Sequence, residues 1–305
     1  MTFLKFLAQY RSPFWDQVVA AITMLGEETF FMVLGLMIFW CISKKWGYRF
    51  LAIGLSGTTM NQLLKAIFLI PRPWVLDPSF TIVEAAREAA TGYSFPSGHT
   101  QSAATVFGTL AVWLNKKWAT IICLLLILAV GFSRMYLGVH TPLDVSVSFL
   151  TGAVTVLGFV WLFKKAEGNQ KKELMIWILT LILAFVLVGY VMLAPVTERN
   201  IAEFDAHGVE SAWKLLGTLC GVILGWWIDE KYTHFETKAV WWAQVLKLFI
   251  GMGLVMAVRL GLKPVLLSVL PNASIAGAVR YFLMVAVGGV LWPMTFGFWS
   301  KLGRK

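Results

Sequence analysis

The spacing of its charges constrains this chain more than any other feature. Between short charged stretches lie runs of about 20 residues with few ionisable side chains, the length a helix needs to cross a bilayer. Asp, Glu, Lys and Arg make up only 14% of the 305 residues, while 58% are hydrophobic. A soluble globular domain carries roughly 25% charge, so this chain cannot wet a globule surface and most of it must face lipid or other helices. Disorder and collagen-like structure are excluded on the same grounds. Cys41, Cys123 and Cys220 sit inside apolar runs, which argues against a disulfide framework.

The apolar runs predict an all-α, polytopic membrane bundle of nine transmembrane helices. The expected spans are 26–43, 48–70, 98–114, 118–137, 142–163, 173–194, 211–229, 240–262 and 276–299. Glu27 and Glu28 interrupt the first, so residues 1–25 are expected to form an interfacial segment. Met1–Gln17 has neither the apolar core nor the cleavage site of a signal peptide. Trp40, Trp46, Tyr48, Trp118, Trp161, Trp226, Trp227, Trp241 and Trp242 fall near span ends, where interfacial anchors belong.

A net charge of +10 raises nucleic acid as a partner, but the cations are scattered as pairs and form no basic stripe. They read instead as topology signals. Fourteen Lys and Arg, including Lys44, Lys45, Lys116, Lys117, Lys164, Lys165, Lys171, Lys172, Arg304 and Lys305, fall on one side, against seven on the other. The richer side is cytoplasmic by the positive-inside rule. That puts the N-terminus outside and the C-terminus inside, in a multi-pass cell membrane protein.

The two long connections, 71–97 and 195–210, both fall on the outer side, where long loops tend to be functional. Gly217, Gly221 and Gly225 form a small-residue ladder on span 7. Close packing within the bundle explains it; a homo-oligomer contact is the alternative. No internal repeat supports the inverted-repeat plan of many transporters.

Three polar clusters reach the outer face at span ends: Lys65 with Arg72-Pro73; Pro96-Ser97-Gly98-His99; and Ser133-Arg134 with His140 and Asp144. Charges at membrane depth are costly and usually functional. Lys65, Arg72 and Arg134 suit a dianionic phosphate. Ser97 and Gly98 open span 3, where backbone N–H groups and the helix dipole favour an anion. Asp144, four residues after His140, is within one helical turn of it. A carboxylate on one ring nitrogen sets the tautomer and leaves the other nitrogen free as nucleophile, with His99 available as general acid. The set describes phosphoryl transfer through a phosphohistidine.

Lys65–(six residues)–Arg72-Pro73, then Pro96-Ser97-Gly98-His99, then Ser133-Arg134–(five residues)–His140–(three residues)–Asp144, resembles the three-part signature of the type 2 phosphatidic acid phosphatase superfamily. That superfamily also includes glucose-6-phosphatases and vanadium haloperoxidases. The resemblance covers Lys65–Asp144, about a quarter of the chain. It implies a metal-independent phosphatase in which His140 attacks phosphorus, Asp144 orients it and His99 protonates the leaving group. It also implies that Lys65, Arg72, Ser97, Gly98 and Arg134 hold the phosphoryl oxygens. Nine spans with the N-terminus outside is similar to glucose-6-phosphatases and sphingosine-phosphate phosphatases. Residues 26–163 are thus expected to form the catalytic bundle and 164–305 a four-helix membrane extension.

The remaining polar residues have blander readings. His207 and His234 are expected to be solvated loop residues, and Asp77, Glu84, Arg87 and Glu88 a wet surface, with a lid over the site as the alternative. Lys214, Arg259, Lys263 and Arg280 are read as snorkelling to headgroups. No Cys-(five residues)-Arg, Asp-x-Asp, His-Glu-x-x-His, Walker-type or Cys-x-x-Cys motif occurs, so no metal or other cofactor is expected. The reading is a lipid phosphate monoesterase, or polyprenyl diphosphatase, at the extracytoplasmic face (lumenal in an internal membrane). Its partners are lipid substrate and bilayer lipids, not nucleic acid. Rivals are a soluble sugar phosphate as substrate, a phospholipid-binding transporter or scaffold without turnover and, more distantly, a haloperoxidase. If the charge count sets the topology, Ser79→Cys labels with an impermeant thiol reagent in intact cells and Gln170→Cys does not; the reverse pattern would overturn the orientation.

Overall fold

The structure, a computed structural model, describes residues 1–270 and 272–302; Arg304 and Lys305, two cations of the cytoplasmic set, lie outside the described residues. Among the described residues every regular element is helical. In chain order these are α1 (Thr2–Ala8), α2 (Pro13–Thr23), α3 (Glu28–Met37), α4 (Lys44–Phe68), α5 (Pro73–Leu76), α6 (Gly98–Leu114) and α7 (Lys117–Tyr136). There follow α8 (Pro142–Ala166), α9 (Gln170–Leu193), α10 (Ala202–Ile228), α11 (Trp241–Val269), α12 (Ala273–Ala286) and α13 (Phe296–Trp299), with short 3₁₀ and π turns between several of them.

Among the described residues, six helical stretches are long and apolar enough to cross a membrane: Lys117–Tyr136, Pro142–Ala166, Gln170–Leu193, Ala202–Thr233, Trp241–Val269 and Ala273–Trp299. A seventh forms if Pro13–Gly26 and Glu28–Ile42, bent by 51°, count as one. The chain is a multi-pass membrane protein. The expected spans 48–70 and 98–114 are helices, α4 and α6, but neither passes as a span by length and composition. The reason lies in what they bury. Residues 56–65 of α4 include Ser56, Thr59, Asn61 and Lys65, and α6 carries Thr100, Gln101, Thr105 and Thr109, all buried. A helix enclosed by other helices can carry polar side chains that lipid would not tolerate.

The chain divides into two compact units. The first comprises 1–31, 56–165 and 189–208. Within it α6 packs along α7, and α1 and α2 also pack on α7. Some polar side chains of the inner helices bond within their own helix or to a neighbouring one. Thr105 and Thr109 hydroxyls donate to the carbonyls of Gln101 and Thr105 at 3.1 and 2.6 Å. Ser148 Oγ lies 2.9 Å from the Ser97 carbonyl and 2.7 Å from that of Asp144, tying α8 to the start of α6. The long 71–97 connection is not a solvated loop. Its Phe80, Ile82, Ala86 and Ala90 are buried with Leu4, Val19, Tyr136, Leu137 and Val139. Arg11 staples this cap, donating to the Tyr136 and Thr81 carbonyls at 3.0 and 2.7 Å. The segment expected to lie at the interface, 1–25, is therefore part of this packing.

The second unit comprises 32–55, 166–188 and 209–305. An aromatic chain runs through it: Phe39 meets Tyr48 and Phe235 with ring centroids 4.8 and 5.2 Å apart, and Phe235 meets Phe296 at 5.4 Å. Trp40, Tyr48 and Trp226 belong to this core, being 0%, 8% and 3% exposed. They are not interfacial anchors: the rings of Tyr48 and Trp226 each meet Trp177, and the Trp40 indole donates to the Gly288 carbonyl at 2.8 Å. Trp118, Trp161, Trp227, Trp241 and Trp242 do remain exposed. Buried Asp229 pairs with Lys44 at 2.9 Å. Lys247, also buried, donates to the Thr237 carbonyl at 3.0 Å and stands 4.2 Å from the centroid of Phe296. Lys214 pairs with Glu210 at 2.8 Å.

The glycine ladder of α10 lies against α12 of the same chain. A Cβ at Gly217 would sit 2.7 Å from the carbonyl carbon of Ala278, and one at Gly221 would sit 2.8 Å from Cβ of Val285. Backbones approach this closely only without a side chain between them. Gly217→Val is therefore expected to cost about 1–3 kcal/mol through forced separation of α10 and α12. A lowered melting temperature in detergent checks this; an unchanged one would show that the ladder does not carry the contact.

Candidate active site

Lys65, on the last turn of α4, and Arg72, just before α5, are both buried, as are Arg134 near the end of α7 and His140 and Asp144 around the α7–α8 turn. All belong to the first unit. Ser97 caps α6, its hydroxyl accepting from the Thr100 amide at 3.4 Å, and Gly98 and His99 open the helix. The Ser97 amide itself donates to the Asp144 carbonyl at 3.2 Å.

Arg72 is the hub. Its Nε donates to the Gly92 carbonyl at 2.9 Å, Nη2 to Thr91 at 2.6 Å and Nη1 to Val139 at 3.1 Å. The same Nη1 stands 2.9 Å from His140 Nε2. A guanidinium can only donate, so Nε2 is the accepting nitrogen and the ring proton resides on Nδ1. Nδ1 faces Asp144 Oδ2 at 3.5 Å and the Ser94 hydroxyl at 3.4 Å. The His–Asp contact is longer than a hydrogen bond because Oδ2 already accepts from the Thr141 amide and the Ser94 hydroxyl, each at 2.7 Å.

Lys65 Nζ donates to the Tyr93 carbonyl and lies 3.5 Å from that of Ser94. Four consecutive residues, Thr91–Ser94, thus form a strap whose carbonyls face two of the three cations. Arg134 differs. Its Nη1 donates to Thr23 Oγ1 at 2.8 Å, but Nε and Nη2 are buried with no hydrogen-bond partner among the described residues. His99 Nε2 and Asn61 Nδ2 are in the same condition. Buried polar atoms are rarely left unpaired, and three of these four belong to Arg134 and His99, residues of the sequence signature.

Outside the spans, burial pulls the Arg72 pKa down to about 10, against the opposing pull of Asp144, so the group stays charged at neutral pH. Burial, then the charges of Arg72, Arg134 and Lys65, holds His140 well below the ordinary histidine value. Burial also pushes Tyr93 up to about 12, opposed by the Ile201 amide and reinforced by Asp205, so its phenol remains a donor. Three buried cations against one buried carboxylate, with a neutral imidazole between, can hold an anion of two charges. That donor set suits no metal cation, and among the described residues no three His, Cys, Asp or Glu side chains gather as ligands.

A multi-pass helical protein with a buried cluster of cations around a histidine is the class that fold and site define. The chain belongs to the PAP2 superfamily: that family's profile matches residues 45–167, and the profile of the PAP2 superfamily phosphatase transmembrane extension matches 213–303. It is 31% identical over 157 residues to phosphatidylglycerophosphatase B of Bacillus subtilis, covering 47% of this chain and 72% of that one. It is 25% identical over 285 residues to a dihydrosphingosine 1-phosphate phosphatase of Schizosaccharomyces pombe, covering 88% of this chain and 66% of the relative, so it spans just under two thirds of that protein's length. Among solved structures, a PAP2-type phosphatidylglycerolphosphate phosphatase from Bacillus subtilis matches with 27% identity and a TM-score of 0.47, over 55% of this chain and 86% of that one.

Sequence reasoning missed several residues at the site. Ser94, which bonds Asp144, has no spacing signal of its own. Asn61 had one: it stands four residues before Lys65, on the same helix face. His207 is not a solvated loop residue; it lies on α10, with Nε2 3.0 Å from Thr91 Oγ1. The charges around His140 predict that, by ¹⁵N-histidine NMR in micelles, it titrates below about pH 6.5. Arg72→Gln raises the midpoint by removing a neighbouring positive charge. A midpoint at or above the ordinary value would contradict this electrostatic account.

Proposed function

We propose that this chain is a membrane phosphatase that hydrolyses a lipid phosphate monoester, or a polyprenyl diphosphate, without a metal. The observation that carries the reading is the buried charge cluster around His140. Arg72 Nη1 stands 2.9 Å from His140 Nε2, the charges of Arg134 and Lys65 also act on that ring, and the buried Nε and Nη2 of Arg134 and Nε2 of His99 have no protein partner among the described residues. Phosphoryl oxygens would satisfy them. The lone pair of His140 Nε2 attacks phosphorus, and the P–O bond to the leaving group breaks as His99 delivers a proton to the departing oxygen. Water then attacks the phosphohistidine, giving its proton to His99 as the P–N bond breaks, and inorganic phosphate leaves. Asp144, with Ser94, keeps the His140 proton on Nδ1. Ser97 and Gly98 line the start of α6 beside the phosphoryl group.

A lipid substrate is favoured by the relatives, a dihydrosphingosine 1-phosphate phosphatase and a phosphatidylglycerophosphatase. An apolar groove of about 360 Å³, lined by Tyr10, Trp15, Val18, Ile22, Phe132 and Ser133 among others, borders the residue before Arg134. In this reading nine helices cross the bilayer with the N-terminus outside, 26–163 carries the reaction, 164–305 extends the bundle, and the site opens to the extracytoplasmic face.

The test is phosphate release from a panel of lipid, prenyl and sugar phosphates with chelator present. Activity is expected on lipids, to persist in chelator and to vanish in His140→Ala on every substrate. His99→Ala is expected to lose roughly 10²–10⁴-fold on alkyl phosphates and much less on aryl phosphates, whose leaving groups need no proton. Restoration only by a divalent ion would remove the metal-free mechanism. Substantial turnover in His140→Ala would remove the phosphohistidine.

A further inference from the structure

The strap Thr91–Ser94 has two faces. Its backbone carbonyls meet Lys65 and Arg72, and its Ser94 hydroxyl meets Asp144. The side chains of Thr91 and Tyr93 are held by the 200–207 segment. The Tyr93 hydroxyl donates to Asp205 Oδ1 at 2.8 Å and accepts from the Ile201 amide at 2.9 Å. Asn200 Nδ2 holds the other carboxylate oxygen, Oδ2, at 3.0 Å, and the rings of Tyr93 and Phe204 meet edge-on at 5.3 Å. Thr91 Oγ1 lies 3.0 Å from His207 Nε2. Between these two anchors Gly92 has φ +64°, and a Cβ there would stand 3.2 Å from His207 Cδ2. The chain turns where only glycine fits readily, so the strap is pinned on both sides of its bend.

We infer that Asp205 and His207 are positioning residues for the phosphate-binding cations, acting through Tyr93 and Thr91. The inference rests on the phosphatase reading above. Both residues lie outside the two stretches, 45–167 and 213–303, that the family profiles match. Lys65 and Arg72 take their orientation from strap carbonyls, and an incoming phosphate must share or replace those same bonds. Where the strap sits therefore decides where the cations point. Misplacement by about 1 Å can cost about 100-fold in rate. The outer end of α10 thereby acts on the reaction without touching substrate.

The experiment uses the full-length protein in detergent, with Asp205→Ala, Tyr93→Phe and the double variant. Inorganic phosphate affinity is measured by calorimetry, kcat and KM on a lipid phosphate, and melting temperature alongside. Each single variant is expected to weaken phosphate binding about tenfold, the size of one lost hydrogen bond to a charged group. kcat/KM should fall by the same factor. The double variant should lose no more than about twofold beyond either single, because both remove the same bond. Asp205→Asn, which keeps an acceptor for the phenol, should recover most of the loss at equal melting temperature. If Asp205→Ala does not accumulate, Tyr93→Phe, which removes one oxygen, carries the same expectation. Phosphate affinity and kcat/KM within about twofold of wild type in both singles, or losses that multiply in the double, would overturn the inference. A wild type that binds phosphate but releases none from any substrate removes the phosphatase reading, while the affinity arm still decides the positioning role. A wild type that binds no phosphate overturns both.

Discussion

Burying Lys65, Arg72 and Arg134 in one compact unit is the constraint from which much of that unit follows. Each cation loses hydration worth several kcal/mol, and the three repel one another. A helix cannot repay this, because its carbonyls are already committed to its own ladder. The acceptors have to come from backbone that is not helical. Thr91, Gly92, Tyr93 and Val139 supply them, from the strap and the α7–α8 turn. This is why a long irregular connection stands beside the site. It is also why that connection carries its own apolar anchors, Phe80, Ile82, Ala86 and Ala90. Exposed irregular backbone would not survive in lipid.

The same constraint sorts the helices into two kinds. α7, α8, α9 and α11 turn large apolar side chains such as Leu125, Leu150, Phe185 and Phe249 outward. Residues 56–65 of α4, together with α6, bury a set of hydroxyls and amides, of which Thr105 and Thr109 bond to carbonyls of their own helix. These enclosed helices carry Lys65 and Ser97-Gly98-His99. Polar side chains inside a bundle are tolerable only when each finds a partner. Arg134, His99 and Asn61 nevertheless keep buried nitrogens without a partner among the described residues.

Much of this was legible in the sequence. The length of the apolar runs located the helices, since nothing but a helix satisfies its own backbone across 20 apolar residues, although α10 begins nine residues before its expected span and α11 ends seven residues after. The three signature clusters named eight candidate site residues, and the structure buries six of them, Lys65, Arg72, Ser97, Arg134, His140 and Asp144, in one unit, with Arg72 against His140 and Asp144 one turn from it. The tryptophans were less legible. Trp40 and Trp226 read as anchors because position along a span says how deep a residue lies, not which way it faces.

Direction is what only the tertiary structure decided. A period of 3.6 residues cannot distinguish a helix face that meets lipid from one that meets another helix when both are apolar. Nor can spacing reveal contacts between segments more than a hundred residues apart, such as Tyr93 with Asp205 and Thr91 with His207. The sequence by itself determined that the chain spans a membrane and which side chains could hold a phosphate, because transfer free energy and charge are properties of single residues and short runs. The pairing of those side chains with the strap, the role of Ser94 and the tautomer of His140 depend on three-dimensional proximity. They became visible only when the helices were packed.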